Sequence, residues 1–155
     1  MTIALTVAAS PTWKWPDDLR QVVGERRLIE LALESAHTVG EGLPRPEGIP
    51  EDLPNPPILL TLLTYCYAAG IYGSEEIEWA CENDESVRYI CGRTFPEAHT
   101  LRRFRRANRP WIEECVLRVY ASACFPSESS GDLNAYVRRK IELAIMTDTA
   151  TADCY

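Results

Sequence analysis

The chain has 155 residues, 46% hydrophobic and 25% charged, enough for one domain with a real core and too apolar for wholesale disorder. Sixteen Lys and Arg against twenty-three Asp and Glu leave a net charge of −7, which argues against nucleic acid as a partner of the chain as a whole, because phosphate contacts need clustered cations. Fourteen of the sixteen basic residues are Arg, the side chain that holds anions in a bidentate fork.

Met1 to Pro11 has no basic start and too short an apolar stretch for a secretory signal. Asp17 is a plausible N-cap for a helix to about His37, with Leu19, Val22, Val23, Ile29, Leu31 and Leu33 as its apolar positions and Gly24 as a weak point. Val39 to Pro57 holds six of the eleven prolines and reads as a linker or surface strap. Pro57 suits the first position of a helix over 58–72, ended by Gly73. This longest apolar run falls short of the roughly 20 residues of a membrane span, so a buried helix in a cytoplasmic protein, away from membranes, is expected.

Ser74 can cap a helix over 75–83, whose first turn carries Glu75, Glu76 and Glu78. Asp84 can cap 85–91, stopped by Gly92. Thr100 can cap 101–108, and Pro110 can open 110–124. The loop 126–131 is Ser-rich, and Asp132 can cap a last helix over 133–147 with Leu133, Tyr136, Val137, Ile141, Ala144 and Ile145 on one face. No segment alternates as a strand, so the expected fold is all-α. The expected division is an N-terminal helical arm (1–38), the proline-rich strap (39–57), a helical domain (58–125), and a loop with a C-terminal helix (126–155).

Six cysteines, at 66, 81, 91, 115, 124 and 154, form no C-x-x-C, and His37 and His99 complete no metal spacing. Buried free thiols are expected, ahead of disulfides or metal. No cofactor and no metal site is expected. The chain has no phosphate-binding G-x-x-x-x-G-K-[ST], no H-E-x-x-H and no G-x-S-x-G. A Cys91–His99 nucleophile–base pair is a poor reading, since two such residues arise readily by chance.

The charge is not spread evenly. Gly92 to Pro110 holds six Arg and one Glu, +5, which leaves −12 for the rest of the chain. At about 100° per residue, Arg102, Arg105, Arg106 and Arg109 fall within an arc of about 100° on a helix. Leu101, Phe104 and Ala107 fall opposite, and Arg103 lies on the flank. Such a helix fits the DNA major groove in width. The bland alternative is a solvated face paired with Glu75, Glu76, Glu78, Glu82, Asp84 and Glu85. Like charges at i, i+4 repel, so a counter-charge is expected, in the fold or on a partner. Helices 75–83, 85–91 and 101–108 suggest a helix-turn-helix variant, although the connection Gly92–His99 is longer than the usual turn.

The order Leu62-Leu63-x-Tyr65-x-Tyr67-x-x-Gly70-Ile71-x-x-Ser74, then Glu76-Ile77-Glu78-x-Ala80, Asp84-x-x-x-Arg88-Tyr89-Ile90-x-Gly92 and Pro96-x-x-x-Thr100-Leu101-x-Arg103-Phe104-Arg105-Arg106 resembles the N-terminal domain of InsH-like bacterial insertion-sequence transposases. The resemblance covers about residues 56–120, well under half the chain. In that family, the resemblance implies, this domain serves DNA-end recognition or assembly. It precedes an RNase-H-like catalytic domain that holds two divalent metals on three carboxylates. Thr100 is read as an N-cap and Phe104 as core; Arg102, Arg103, Arg105, Arg106 and Arg109 are read as DNA-binding.

After Tyr120 only thirty-five residues follow, with Glu128, Asp132, Glu142, Asp148 and Asp153 as their acids. A rigid two-metal site is not expected there, so the chain by itself is expected not to be an enzyme. Four or five phosphate contacts imply a log–log salt slope of roughly −4. The expected partners are DNA, a second copy of the chain, or a separate catalytic transposase subunit. The alternative is a protein–protein or oligomerisation module without DNA binding. In it Trp13, Trp15 and the strap form an interface, or the acidic helix of one copy meets the basic helix of another.

Overall fold

The segment Pro56–Ala68 is apolar on almost every side, and a helix of that kind is stable only when other elements surround it. The computed structural model describes residues 15–40, 56–92, 94–123 and 130–153. Among them are seven helices and no strand, the all-α fold expected. They are α1 (Arg20–Val23), α2 (Glu25–Gly40), α3 (Pro56–Ala68), α4 (Ser74–Asn83), α5 (Glu85–Cys91), α6 (Ala98–Ala123) and α7 (Ser130–Asp153).

Helix α3 is the axis: α2, α5 and α6 pack against it, and α7 touches it as well as α4 and α6. Each surrounding helix offers one stripe. In α2 it is Leu28, Leu31, Ala32, Ser35, Ala36 and Val39; in the second half of α6 it is Ile112, Cys115, Val116, Val119 and Tyr120. Both follow the i, i+3, i+4, i+7 spacing of an amphipathic helix. Four cysteines, at 66, 81, 91 and 115, are buried free thiols as expected; Cys124 and Cys154 lie outside the described residues.

Local chemistry moves several boundaries. Gly24 adopts a φ of 87° and divides the expected helix 17–37 into α1 and α2. Asp17 does not cap it. The Arg20 amide donates instead to Asp18 Oδ1 at 2.9 Å. Helix α3 ends at Ala68 rather than Tyr72 because Gly70, at φ 81°, closes a Schellman turn: the amide of Ile71 donates to Cys66 O at 2.8 Å and that of Gly70 to Tyr67 O at 3.2 Å. The φ of 81° strains any side chain there, and a Cβ at Gly70 would lie 2.9 Å from the Asp17 carboxylate, so glycine is strongly favoured.

Asp84 caps α5 as expected, accepting from the Val87 amide at 3.1 Å. Ser74 and Thr100 do not act as caps. Gly73 is the N-cap of α4, and the Ser74 amide and hydroxyl both donate to Asp148 of α7, at 2.8 and 2.7 Å. Helix α6 begins at Ala98, whose amide donates to Glu78 Oε1 at 3.0 Å; Thr100 is buried inside its first turn.

The two helices expected over 101–108 and 110–124 are present as the two halves of α6, which meet at a kink where Asn108 leaves helical geometry (φ −126°, ψ 27°). Pro110 has no N–H for the Arg106 carbonyl and crowds it; the Asn108 amide side chain donates to Phe104 O at 3.1 Å beside the bend. Helix α7 starts ahead of Asp132, the expected cap, and runs past the expected end at 147.

The segment before α1 is held by a buried lysine. Lys140 of α7, 1% exposed, donates to Asp17 O at 2.9 Å, to Asp17 Oδ1 at 3.1 Å and to the Tyr72 hydroxyl at 2.8 Å. Its Nζ lies 5.1 to 5.5 Å from the ring centres of Tyr72, Tyr120 and Tyr136, within cation–π range. The Tyr120 hydroxyl donates to Pro16 O at 2.6 Å, and Trp15 packs on Tyr136, ring centres 5.5 Å apart. Trp15 therefore belongs to the core of its own chain; Trp13 lies outside the described residues.

Burial opposes ionisation of Asp17, but the Tyr72 hydrogen bond and the Lys140 charge outweigh it and hold the carboxyl below its usual value. A carboxyl depressed on folding contributes stability above its ordinary pKa and loses it as the pH falls through the folded value. Asp17→Asn is therefore expected to flatten the acid limb of the stability curve, with the difference from wild type shrinking from about pH 5 to pH 2 in urea titrations. A constant difference across that range would remove Asp17 from the acid response.

Candidate nucleic-acid interface

The basic stretch occupies the first half of α6. Its buried stripe is Leu101, Phe104, Arg105 and Asn108, again i, i+3, i+4 and i+7. That stripe is rotated by about 50°, half the step between successive residues, from the expected one. Ala107, expected on the core side, faces solvent, and Arg105, expected on the open face, turns inward.

Arg105 is 6% exposed. Its Nη1 lies 2.7 Å from Asp148 Oδ2 and donates to the Tyr67 hydroxyl at 3.3 Å. Burial works against the guanidinium charge; Tyr67 and Asp148 more than offset this and keep Arg105 ionised. Burial pushes the Tyr67 phenol up to about 12, so it stays a neutral acceptor. Asp148 thus serves two elements at once, neutralising Arg105 and closing the N-terminus of α4. A phosphate cannot reach Arg105 without breaking this arrangement.

The other four arginines differ. Arg109, 34% exposed, pairs with Glu113 at 2.7 Å one turn along α6 and approaches Glu142 of α7 at 3.7 Å. Arg102 is half-buried, and Arg103 and Arg106 are exposed. Counter-charges for the inner and rear arginines come from Asp148, Glu113 and Glu142. Among the acids expected to supply them, Glu78 instead caps α6 through the Ala98 amide. Phe104 is core, as expected.

Residues 133, 136, 137, 140, 141, 144 and 148 are buried along α7. The placement of Asp148 was legible in principle, since it continues the period of Leu133, Val137, Ile141 and Ala144. Ser74 carried no such signal, because its partner is 74 residues away.

Catalytic alternatives find little geometry. Cys91 is buried against the Cys81 thiol, while His99 is exposed and lies 3.9 Å from Glu97. Among the described residues no three His, Cys, Asp or Glu side chains converge on a possible metal position, and no helix is long and apolar enough to cross a membrane.

The model of the family described as Transposase domain (DUF772) matches residues 19–107, more than half of the chain. No curated protein and no solved structure matches it. The matched span starts at Leu19, whose amide donates to Ala68 O at 2.9 Å. It takes in α1 to α5 and the start of α6 with Arg102, Arg103, Arg105 and Arg106, and stops one residue before the bend at Asn108, leaving Arg109 outside. It reaches further toward the N-terminus than the resemblance over 56–120. On this match, carried by the core helices and the arginine stretch together, the chain belongs to the transposase domain family DUF772.

Proposed function

We propose that this transposase-family chain is a non-catalytic DNA-binding or assembly element, and that its DNA contact is the outer face of the first half of α6. The observation that carries this reading is the division of labour among the arginines. Arg105 is consumed inside the fold, whereas Arg102, Arg103 and Arg106 point away from the core stripe on a helix that Phe104 and Leu101 anchor. Arg109 stands at the edge of that face, held by Glu113. The contacts are chiefly to phosphate, and α4, α5 and α6 act as a helix-turn-helix-like unit presenting the face.

Three outer arginines in place of four or five contacts lower the expected log–log salt slope to about −2.7. Gel-shift titrations of duplex DNA at several salt concentrations measure it. Replacing Arg102, Arg103 and Arg106 together by Ala is expected to abolish binding at low salt without unfolding the chain. No binding by the wild type at low salt, or equal binding by the triple variant, overturns the reading.

One observation favours the second reading, an oligomerisation module. Trp79 of α4 is 63% exposed among the exposed acids Glu75, Glu76 and Glu82. This acidic, aromatic face complements the arginine face of another copy. Light scattering distinguishes the readings: a dimer that dissociates in high salt and ignores DNA supports the second.

A further inference from the structure

Cys81 lies in the last turn of α4 and Cys91 ends α5. Asp84 ends α4 and caps α5, and the two helices pack against each other. The two sulfurs, ten positions apart in the chain, come to 3.1 Å from one another, closer than unbonded sulfurs ordinarily pack. A disulfide spans about 2.0 Å, so closing the pair requires sulfur movement of only about 1 Å. The remaining buried thiols are placed otherwise: Cys115 faces the Ser35 carbonyl at 3.7 Å, and Cys66 sits within the central helix. Neither the arginine face nor the transposase relationship calls for a thiol pair at this position.

We propose that Cys81 and Cys91 form a reversible disulfide site, oxidised by hydrogen peroxide or another small peroxide and reopened by a dithiol reductant. The Cys91 thiolate attacks one peroxide oxygen; the O–O bond breaks, and the leaving hydroxide takes a proton to become water. Cys91 is then a sulfenic acid. The Cys81 sulfur attacks the Cys91 sulfur, gives up its proton, and the S–O bond breaks to release a second water. Two thiols have lost two hydrogens, and one peroxide has become two waters. Reduction by a dithiol reverses the bond and leaves the reductant as its own disulfide.

The order of the steps follows from the surroundings. Cys91 keeps slight solvent contact, 3% exposed against 0% for Cys81, so Cys91 meets the oxidant first and Cys81 resolves. Both thiols are almost without solvent contact, which selects a small uncharged oxidant and makes the reaction slow compared with an exposed cysteine. The bond would tie the end of α4 to the end of α5. It would thereby stiffen the helix pair whose Glu78 holds the start of the arginine helix.

The test uses the full chain carrying Cys124→Ser and Cys154→Ser, treated with hydrogen peroxide while folded. The expected result is a mass loss of two hydrogens, reversed by dithiothreitol. Digestion with trypsin and a glutamate-specific protease should then show a cross-link between the Cys81 and Cys91 peptides, with a higher thermal midpoint for the oxidised form. Cys91→Ala is expected to abolish the cross-link; should it fold poorly by circular dichroism, the peptide map of the parent chain decides alone. A cross-link through Cys66, oxygen added at Cys91 without a cross-link, or cross-linking only in chain unfolded with urea overturns the proposal. These outcomes do not depend on DNA binding.

Discussion

Asp148→Ala is expected to cost about 3–5 kcal/mol of folding stability, the penalty for stripping one partner from a buried ion pair. The Arg105 guanidinium, 6% exposed, would remain charged in the interior with only the Tyr67 hydroxyl near its Nη1. The same substitution leaves the Ser74 amide and hydroxyl at the start of α4 without their acceptor, and a buried donor left unpaired carries a desolvation cost of its own. For a chain of this size the loss corresponds to a fall in thermal midpoint of roughly 6–20 °C.

Two companions sort the causes. Asp148→Asn keeps an oxygen for Ser74 but removes the charge, and is expected to fall between Ala and wild type. Arg105→Met combined with Asp148→Leu removes both charges. It is expected to recover much of the loss, because an apolar pair of similar volume often matches a buried ion pair. Urea denaturation of the four proteins measures this. A cost below about 1 kcal/mol for Asp148→Ala would mean that water reaches the pair and that it behaves as a surface bridge.

The second large effect is expected at Lys140. Lys140→Ala removes three buried methylenes and the ammonium from among Tyr72, Tyr120 and Tyr136 and leaves the Asp17 carbonyl without its Nζ donor. The Asp17 carboxylate itself is 66% exposed, so water can re-solvate it, and the cost is chiefly the cavity and the lost hydrogen bonds. About 3 kcal/mol is expected for Ala. Lys140→Met fills the space without the charge and is expected to cost about 1–2 kcal/mol, through the hydrogen bonds alone. Equal losses for Ala and Met, read by chemical denaturation, would assign the site to charge rather than packing. No loss for either would show that segment 15–19 is not fastened by Lys140.

Both predictions concern polar groups on apolar stripes, which is where reading the chain residue by residue stops working. Apolar periodicity identified the helices because burial acts at i, i+3 and i+4 whatever the partner. The same rule placed Phe104 in the core. Turn chemistry was legible where it is local: Asp84 caps three residues on, and Gly24 interrupts its own helix. It failed at Ser74 and Thr100, where the partner of a buried helix end came from another helix, Asp148 in one case and Glu78 in the other. A capping signal and a tertiary partner compete for the same orphan amides, and only the fold says which is present.

The arginines show the same limit more sharply. By itself the sequence determined an all-α chain, a transposase-like order of motifs, and one basic segment of +5 in a chain of −7, because composition and period are local properties. It left the facing of that segment open to within roughly 50° of helix rotation. The tertiary structure decided it. Phe104 and Leu101 must sit in the core, Arg105 can follow them inward only because Asp148 of α7 supplies a charge there, and Arg102, Arg103 and Arg106 are turned outward as a result. A buried charge needs its partner within a few ångströms, and nothing in the sequence between residues 105 and 148 announces that distance.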